Sequence, residues 1–143
     1  MRAMAKANVR MLGYQPFDVV RDHYARCRAL VFTGVEDFGI VPVEAMASGR
    51  PVIAFRGGGV LDTVVEGKTG MFFDEQSPEA LNRALDAFET REIQFSSVEI
   101  ATHAQKFDRA IFRQQIGAWI SRMMMNGGPE ASAYTNGDAT SPS

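Results

Sequence analysis

The fold is decided by residues 29–55, which read ALVFTGVEDFGIVPVEAMASGRPVIAF. Two apolar runs, residues 29–33 and 51–55, have the length and continuity of strands that are buried on both faces. Between them, residues 41–48 have the composition of a helix, and Gly49 is typical of a helix end. A strand, a helix and a second strand in this order predict a βαβ unit with parallel strands.

The same alternation continues on both sides of this unit. Two more strands are predicted, at residues 9–12 and 70–73. Four more helices are predicted: residues 16–28, residues 60–65, a helix that starts with Ser77 as N-cap and Pro78 as first residue, and a last helix capped by Asp108. The polar stretch after Glu92 gives no such signal. The pattern therefore predicts an α/β fold, with a parallel sheet of four strands and flanking helices.

Composition and charge exclude several classes of protein. Apolar residues make up 45% of the 143 residues, which is enough for the core of one domain, and we assign that domain to residues 1–125. Charged residues make up 22% and the net charge is −2, so no basic field attracts nucleic acid or anionic lipid. Residues 126–143 are rich in small and polar residues and predict a disordered tail.

Cysteine content and hydropathy indicate in which cellular compartment the protein is expected. The single cysteine, Cys27, cannot form an internal disulfide, which fits a reducing cytosol. No apolar run approaches the roughly 20 residues that a membrane-spanning helix needs, and residues 1–7 lack the apolar region of a secretory signal. We therefore expect a cytoplasmic protein. Peripheral attachment to the inner membrane face, through a further domain or a partner, stays open.

The loop between the first strand and the helix of residues 41–48 has the features of an anion site. In an open parallel sheet, ligands bind beside the carboxyl ends of the strands, where this loop lies. The following helix starts near Pro42, and the unpaired N–H groups of a helix start can hold phosphate or hydroxyl oxygens. Gly39 lets the backbone approach a ligand closely because it has no Cβ atom.

Two acidic residues flank this helix start. Glu44 is predicted in its first turn, where a carboxylate can accept two hydrogen bonds from a vicinal diol such as a ribose. Glu36 lies in the loop and can face the same pocket from another side. Each has an ordinary explanation, because first-turn glutamates complement the helix dipole and loop acids are usually solvated. The combination of both with Gly39 and Pro42 is more specific than any one of them.

Glu36 and Glu44 form an E-x7-E motif, and the residues around them resemble a known family. With Phe38-Gly39 and residues 44–54, EAMASGRPVIA, the motif resembles the C-terminal domain of the group 1 (family 4) retaining glycosyltransferases. Gly58-Gly59 and the pattern EGKTG at residues 66–70 extend the resemblance, which covers roughly residues 7–123. Residues 36–44 and 72–76 are most similar to the mannosyltransferase branch. The resemblance implies the two-domain GT-B fold, and for this chain an incomplete, Rossmann-like C-terminal domain of it.

The resemblance also implies roles for individual residues. Glu36 would contact hydroxyls of the donor sugar and is the expected catalytic residue, and Glu44 would bind the ribose of the donor. Sugar and phosphate oxygens would be held by four backbone amides, those of Phe38, Gly39, Ile40 and Val41. The donor would be a nucleotide-diphosphate sugar, and the resemblance to the mannosyltransferase branch implies GDP-mannose. The acceptor would be a glycan or a lipid-linked glycan. Residues 13–16 would lie near the base, and neither a cofactor nor a metal ligand is implied.

Three alternatives remain beside a complete enzyme. In the family, an Arg and a Lys that grip the donor pyrophosphate precede this region, and no residue here matches them by motif. The resemblance thus implies an N-terminally truncated domain that alone is inactive or weakly active. The chain could instead be the donor-binding subunit of a split glycosyltransferase, with the acceptor-binding domain on another chain, or an inactive fragment of a longer enzyme. A sugar-nucleotide epimerase is disfavoured because its motifs are not evident.

Two further features have no catalytic assignment. Residues 57–59, three glycines, would let the chain pass close to a ligand, form a tight turn before a helix, or do both. His23 and His103 lack metal-ligand spacing, so we expect both at helix surfaces and no metal site.

Overall fold

The computed structural model describes residues 6–125, so the tail predicted at residues 126–143 lies outside the described residues. The described helices are α1 (Phe17–Arg26), α2 (Ile40–Ala47), α3 (Val60–Thr63), α4 (Pro78–Arg91), α5 (Ser97–Ala104) and α6 (Arg109–Met125). The described strands are β1 (Leu30–Phe32), β2 (Val52–Phe55) and β3 (Gly70–Phe73). The chain forms two compact units that divide between Lys106 and Phe107. The sheet and α1–α5 belong to the first unit.

The second unit contains α6, which begins as predicted. The Oδ1 atom of Asp108 accepts a hydrogen bond of 2.7 Å from the backbone N–H of Ala110, so Asp108 caps the helix. None of the residues of α6 is buried. Across residues 6–125, no helix combines the length and the hydropathy that crossing a membrane requires.

The sheet has three parallel strands in the order β1-β2-β3. Val31 pairs with Ile53 across β1 and β2, and Ile53 pairs with Met71 across β2 and β3. Helix α2 connects β1 to β2, and α3 lies between β2 and β3, as parallel pairing requires. The predicted βαβ unit is thus confirmed, and the carboxyl ends of the three strands lie along one edge.

Helices cover both faces of the sheet, and the core lies on each side of β2. Val52 and Ala54 are fully buried in one cluster, which the following residues complete: Ala45, Met46, Val60, Val64, Ile100 and Ala104. Ile53 is fully buried in a second cluster, with Met71, Phe73, Ala80, Ala84 and Phe88. Successive residues of a strand point to opposite faces, so β2 belongs to both clusters. This explains the continuous apolar run at residues 51–55.

The strand predicted at residues 9–12 is wrong. These residues belong to no strand, and Val9, Met11 and Leu12 are 49%, 47% and 42% exposed. An apolar run becomes a strand only when its N–H and C=O groups pair with a neighbouring strand. In the described part of the chain, β1 pairs with β2 alone, so residues 9–12 have no ladder to join.

Helix α5 contradicts the prediction that residues after Glu92 lack regular structure. The Oγ atom of Ser96 accepts a hydrogen bond of 3.4 Å from the N–H of Glu99, and Ile100 is fully buried in the cluster that contains residues of α2 and β2. The spacing of Ser96 and Glu99 is that of a capping box. This signal was present in the sequence, but few apolar residues accompany it.

Helix α4 begins as predicted, with Pro78 as its first residue. The Ser77 hydroxyl accepts a hydrogen bond of 3.2 Å from the N–H of Ala80. We expect Ser77→Ala to lower the free energy of unfolding by about 1 kcal/mol, because it leaves an N–H without its cap. Urea unfolding followed by circular dichroism measures this change. The matched control is Ser97→Ala, at an exposed serine, and an equal effect at both positions would contradict the capping role.

Candidate functional site

The residues between β1 and α2 lie at the carboxyl edge of the sheet, where we expect ligands to bind. We call residues 34–39 the acid loop, because they contain Glu36 and Asp37. The loops that follow β2 and β3 reach the same edge. Gln76, three residues beyond β3, donates a hydrogen bond of 2.9 Å from Nε2 to the carbonyl oxygen of Thr33. The ends of β1 and β3 are therefore tied together beside the acid loop.

Gly58 and Gly59 lie against the backbone of the acid loop. The N–H of Gly59 donates a hydrogen bond of 2.7 Å to the carbonyl oxygen of Glu36. A Cβ atom on Gly59 would lie 2.4 Å from the carbonyl oxygen of Asp37 and 2.4 Å from the Cα atom of Phe38. On Gly58 it would lie 2.5 Å from the Glu36 carbonyl oxygen. These glycines are thus required by the backbone of the acid loop, whether or not a ligand is bound.

Helix α2 begins at Ile40, earlier than predicted, and this moves Glu44. Gly39 precedes the helix with a φ of 75°, in the left-handed region that glycine tolerates. Pro42 is the third helical residue, which is allowed because the first four N–H groups of a helix have no intrahelical acceptor. Glu44 is the fifth residue, in the second turn, so its predicted first-turn position is wrong. The helix dipole therefore does not account for a glutamate here.

The start of α2 presents backbone donors. In the described structure, the N–H groups of Gly39, Ile40 and Val41 donate no hydrogen bond. Gly39 is buried, whereas the side chain of Ile40 is 61% exposed. Unpaired N–H groups at a helix start concentrate partial positive charge and can bind an anion. Phe38, the fourth predicted amide, lies directly over Gly59 with its side chain 48% exposed.

The two glutamates have different surroundings. The Glu36 side chain is exposed, and its carboxylate forms no hydrogen bond or ion pair with any residue that the structure describes. Glu44 is half-buried, and its Oε2 atom accepts a hydrogen bond of 3.3 Å from the Tyr24 hydroxyl of α1. Glu44 lies four residues after Ile40, about 6 Å further along the helix axis and near the same face. Glu36 and the amides thus form one continuous segment, and Glu44 follows one turn later.

Two side chains that contact this region were not assigned by sequence. Tyr24 contacts Glu44 across 20 residues of sequence, and burial, followed by the charge of Glu44, raises the pKa of its phenol. Arg56, next to the glycines, has its guanidinium 4.6 Å above the ring of Phe72 and binds Asp74 and Glu66. The hydrogen bond to Asp74, followed by that to Glu66, raises the pKa of Arg56. No local sequence pattern predicts such pairs.

The two histidines and the segment of residues 13–16 differ in their exposure. His23 is exposed, as predicted, whereas His103 is half-buried and the prediction of a surface position is wrong. The Nε2 atom of His103 lies 2.8 Å from the carbonyl oxygen of Thr63, so this ring connects α5 to the end of α3. Residues 13–16 precede α1, and Tyr14 is 95% exposed.

Comparison with known proteins gives a family for this chain. The family model described as glycosyl transferases, group 1, matches residues 2–107. A D-inositol 3-phosphate glycosyltransferase of Corynebacterium glutamicum is 40% identical over 95 residues, which are 64% of this chain and 22% of that protein. An alpha-1,3/1,6-mannosyltransferase of Dictyostelium discoideum is 56% identical over 45 residues, 31% of this chain and 11% of that protein. The chain spans less than a quarter of the length of these relatives.

Solved structures show a matching fold. Anabaena Alr3699/HepE, in complex with UDP-glucose, matches with a TM-score of 0.60 and 28% identity over 69% of this chain and 29% of that chain. Sucrose-phosphate synthase from Thermosynechococcus elongatus matches in fold, with a TM-score of 0.67 and 24% identity over 81% of this chain and 30% of that chain. The three-stranded parallel sheet with flanking helices matches part of a Rossmann-like GT-B domain. The chain belongs to the group 1 glycosyltransferases.

Proposed function

We propose that the acid loop and the start of α2 bind a nucleotide-diphosphate sugar, the donor of a retaining glycosyltransferase. The observation that supports this most is the acid loop itself. Gly59 holds its backbone in place, its Glu36 carboxylate is exposed, and it leads directly into the start of α2 with its unpaired amides. Because the chain spans less than a quarter of the relatives' length, we propose transfer for the protein that contains this domain. Donor binding is proposed for the described residues.

The amides and Glu36 act on the two parts of the donor that react. The N–H groups of residues 38–41 would bind phosphate and sugar oxygens, and would stabilise the negative charge that develops on the leaving phosphate. Glu36 would accept hydrogen bonds from hydroxyls of the sugar and hold the anomeric carbon beside that phosphate, as the catalytic residue. No metal ligand or cofactor from this chain enters the proposal.

Glu44 would bind the ribose of the donor. Its carboxylate has two oxygens with about four acceptor positions, of which Tyr24 uses one. A vicinal diol can donate two hydrogen bonds to such a group. The axial distance of about 6 Å between Ile40 and Glu44 lets the phosphates lie at the helix start and the ribose one turn later.

The proposed donor is GDP-mannose, with a glycan or lipid-linked glycan as acceptor. The similarity to the mannosyltransferase of Dictyostelium discoideum, with 56% identity over 45 residues, supports this donor. The complex of Anabaena Alr3699/HepE contains UDP-glucose, so a UDP sugar is the competing donor. Titration of the full chain with both sugar nucleotides separates these donors.

Alanine at Glu36 or Glu44 is expected to weaken donor binding by about tenfold or more, because a hydrogen bond to a charged group contributes roughly 1.5–3 kcal/mol. Isothermal titration calorimetry of each variant with GDP-mannose and with UDP-glucose measures the change. The matched control is Asp37→Ala, which removes an exposed carboxylate of the same loop that has no assigned role.

Equal binding by the parent, Glu36→Ala and Glu44→Ala would show that the assignment of both residues is wrong. A loss as large in Asp37→Ala would indicate that the net charge of the loop, rather than these two carboxylates, controls binding. Failure of the parent to bind either sugar nucleotide at millimolar concentration would contradict donor binding by this chain.

A further inference from the structure

The contact between Tyr24 and Glu44 connects a helix outside the predicted site to a carboxylate within it. Tyr24 lies in α1 and Glu44 in α2, and the phenol oxygen is 3.3 Å from Oε2. The Tyr24 ring packs against the buried cluster that contains Ala45 and Met46, the two residues that follow Glu44. Packing thus fixes the ring relative to the backbone of α2, and the ring delivers its hydroxyl to the carboxylate.

Glu44 has no other side-chain partner among the described residues. Its backbone carbonyl accepts from the N–H and hydroxyl of Ser48, but its carboxylate is contacted only by Tyr24. A glutamate side chain has several freely rotating bonds, so one hydrogen bond from a fixed donor restricts its orientations substantially. The donor is neutral and leaves the carboxylate with its full negative charge for a ligand.

The phenol is also suited to remain a donor. Burial, the charge of Glu44, the hydrogen bond to it and the nearby Cys27, in that order, raise the pKa of Tyr24 above its usual value near 10. A raised pKa keeps the hydroxyl protonated throughout the neutral and moderately alkaline range. Loss of the proton would place two negative charges together, so the contact needs the neutral phenol.

We propose that Tyr24 is a positioning residue that orients the Glu44 carboxylate for the ribose diol, an inference that rests on the ribose-binding role proposed for Glu44. Tyr24 holds Oε2 from the side of α1, and Oε1 with the remaining acceptor positions faces the ligand diol. Tyr24 itself touches no ligand. Removing its hydroxyl leaves the ligand's phosphates and sugar unaffected and loosens only the grip on the ribose.

A double-mutant cycle on the full chain tests this mechanism. Tyr24→Phe, Glu44→Ala and the double variant are titrated with GDP and with 2′,3′-dideoxy-GDP, which lacks the diol. We expect Tyr24→Phe to weaken GDP binding about three- to tenfold and to leave dideoxy-GDP binding unchanged. In the Glu44→Ala background, Tyr24→Phe should have no further effect. The control is Ser97→Ala, which removes an exposed hydroxyl outside the proposed site and should bind GDP as the parent does.

A second measurement needs no ligand. With ¹³C-labelled tyrosine, the Cζ chemical shift follows the ionisation of Tyr24 as pH rises. Glu44→Gln removes the charge that helps to raise the phenol pKa, so we expect this pKa to fall while staying above its usual value because burial remains. An unchanged pKa in Glu44→Gln would overturn the contact and the proposal with it.

The outcomes separate this inference from the proposed function. If Glu44→Ala weakens GDP and dideoxy-GDP equally, the ribose role of Glu44 is wrong, and the positioning role falls with it. If Glu44→Ala weakens GDP selectively but Tyr24→Phe has no effect, the proposed function stands and the role of Tyr24 is overturned. If Tyr24→Phe weakens dideoxy-GDP as much as GDP, Tyr24 acts on the fold, which also overturns its positioning role.

Discussion

Alanine at position 59 is expected to displace the acid loop and to lower the affinity for a sugar nucleotide by at least about tenfold. The added Cβ atom would lie 2.4 Å from two backbone atoms, the carbonyl oxygen of Asp37 and the Cα atom of Phe38. No side-chain rotation relieves such a contact, so the loop must move. The φ of Gly59 is −62°, an ordinary value for alanine, and the effect therefore arises from the contact alone.

We expect the same Gly59→Ala variant to lose about 1–3 kcal/mol of unfolding free energy, as overpacked sites do. The matched control is Gly67→Ala, whose φ is +75° but whose Cβ atom would meet nothing within 4 Å. That variant should lose about 1–2 kcal/mol through backbone strain and keep its donor affinity. Urea unfolding and calorimetry measure the two quantities. Donor binding by Gly59→Ala at the parental level would refute the supporting role of the glycine.

The second large effect is expected at Ile100, whose side chain is fully buried in the cluster that contains residues of α2 and β2. Ile100→Ala should lower the free energy of unfolding of the first unit by about 2–5 kcal/mol, because it removes buried methyl groups and leaves a cavity. Urea unfolding followed by circular dichroism gives the value. The same helix offers a matched control, Val98→Ala, at a side chain that is 75% exposed.

Val98→Ala should change stability by less than about 0.5 kcal/mol. Similar values for the two variants would mean that Ile100 does not contribute to the buried cluster. The comparison therefore tests the packing of α5, which the sequence did not predict.

The parts of the fold that could be predicted are those with local signals. The apolar runs of β2 and β3 are continuous because both faces of a covered parallel strand are buried. Strand β1 was also predicted from its apolar run, but the expected burial of both its faces is wrong, since Val31 is 41% exposed at the edge of the sheet. Ser77 and Pro78 mark the start of α4 because a hydroxyl cap and a fixed φ favour a helix start independently of the rest of the chain. The acid loop could be found in the same way, from consecutive residues, and its family resemblance agrees with the family found by comparison.

The predictions that are wrong or missing depend on contacts between distant residues or on single backbone angles. Residues 9–12 have the composition of a strand, but a strand also needs a neighbour, which composition does not reveal. The start of α2 depends on the left-handed φ of Gly39, and one residue of difference moved Glu44 out of the first turn. Tyr24 and Glu44 are 20 residues apart, so their contact follows from the packing of α1 on α2 and from no local pattern.

The way the acid loop is supported has a consequence for how the proposed donor range of this domain can change. Gly58 and Gly59 hold the loop through its backbone, while the side chains of Glu36, Asp37 and Phe38 are exposed. If the acid loop binds the donor sugar as proposed, substitutions of those side chains should alter which sugar is accepted and leave the backbone of the loop in place. Under that proposal, stability depends on the glycines and selectivity depends on the exposed side chains, so selectivity can change while stability is preserved.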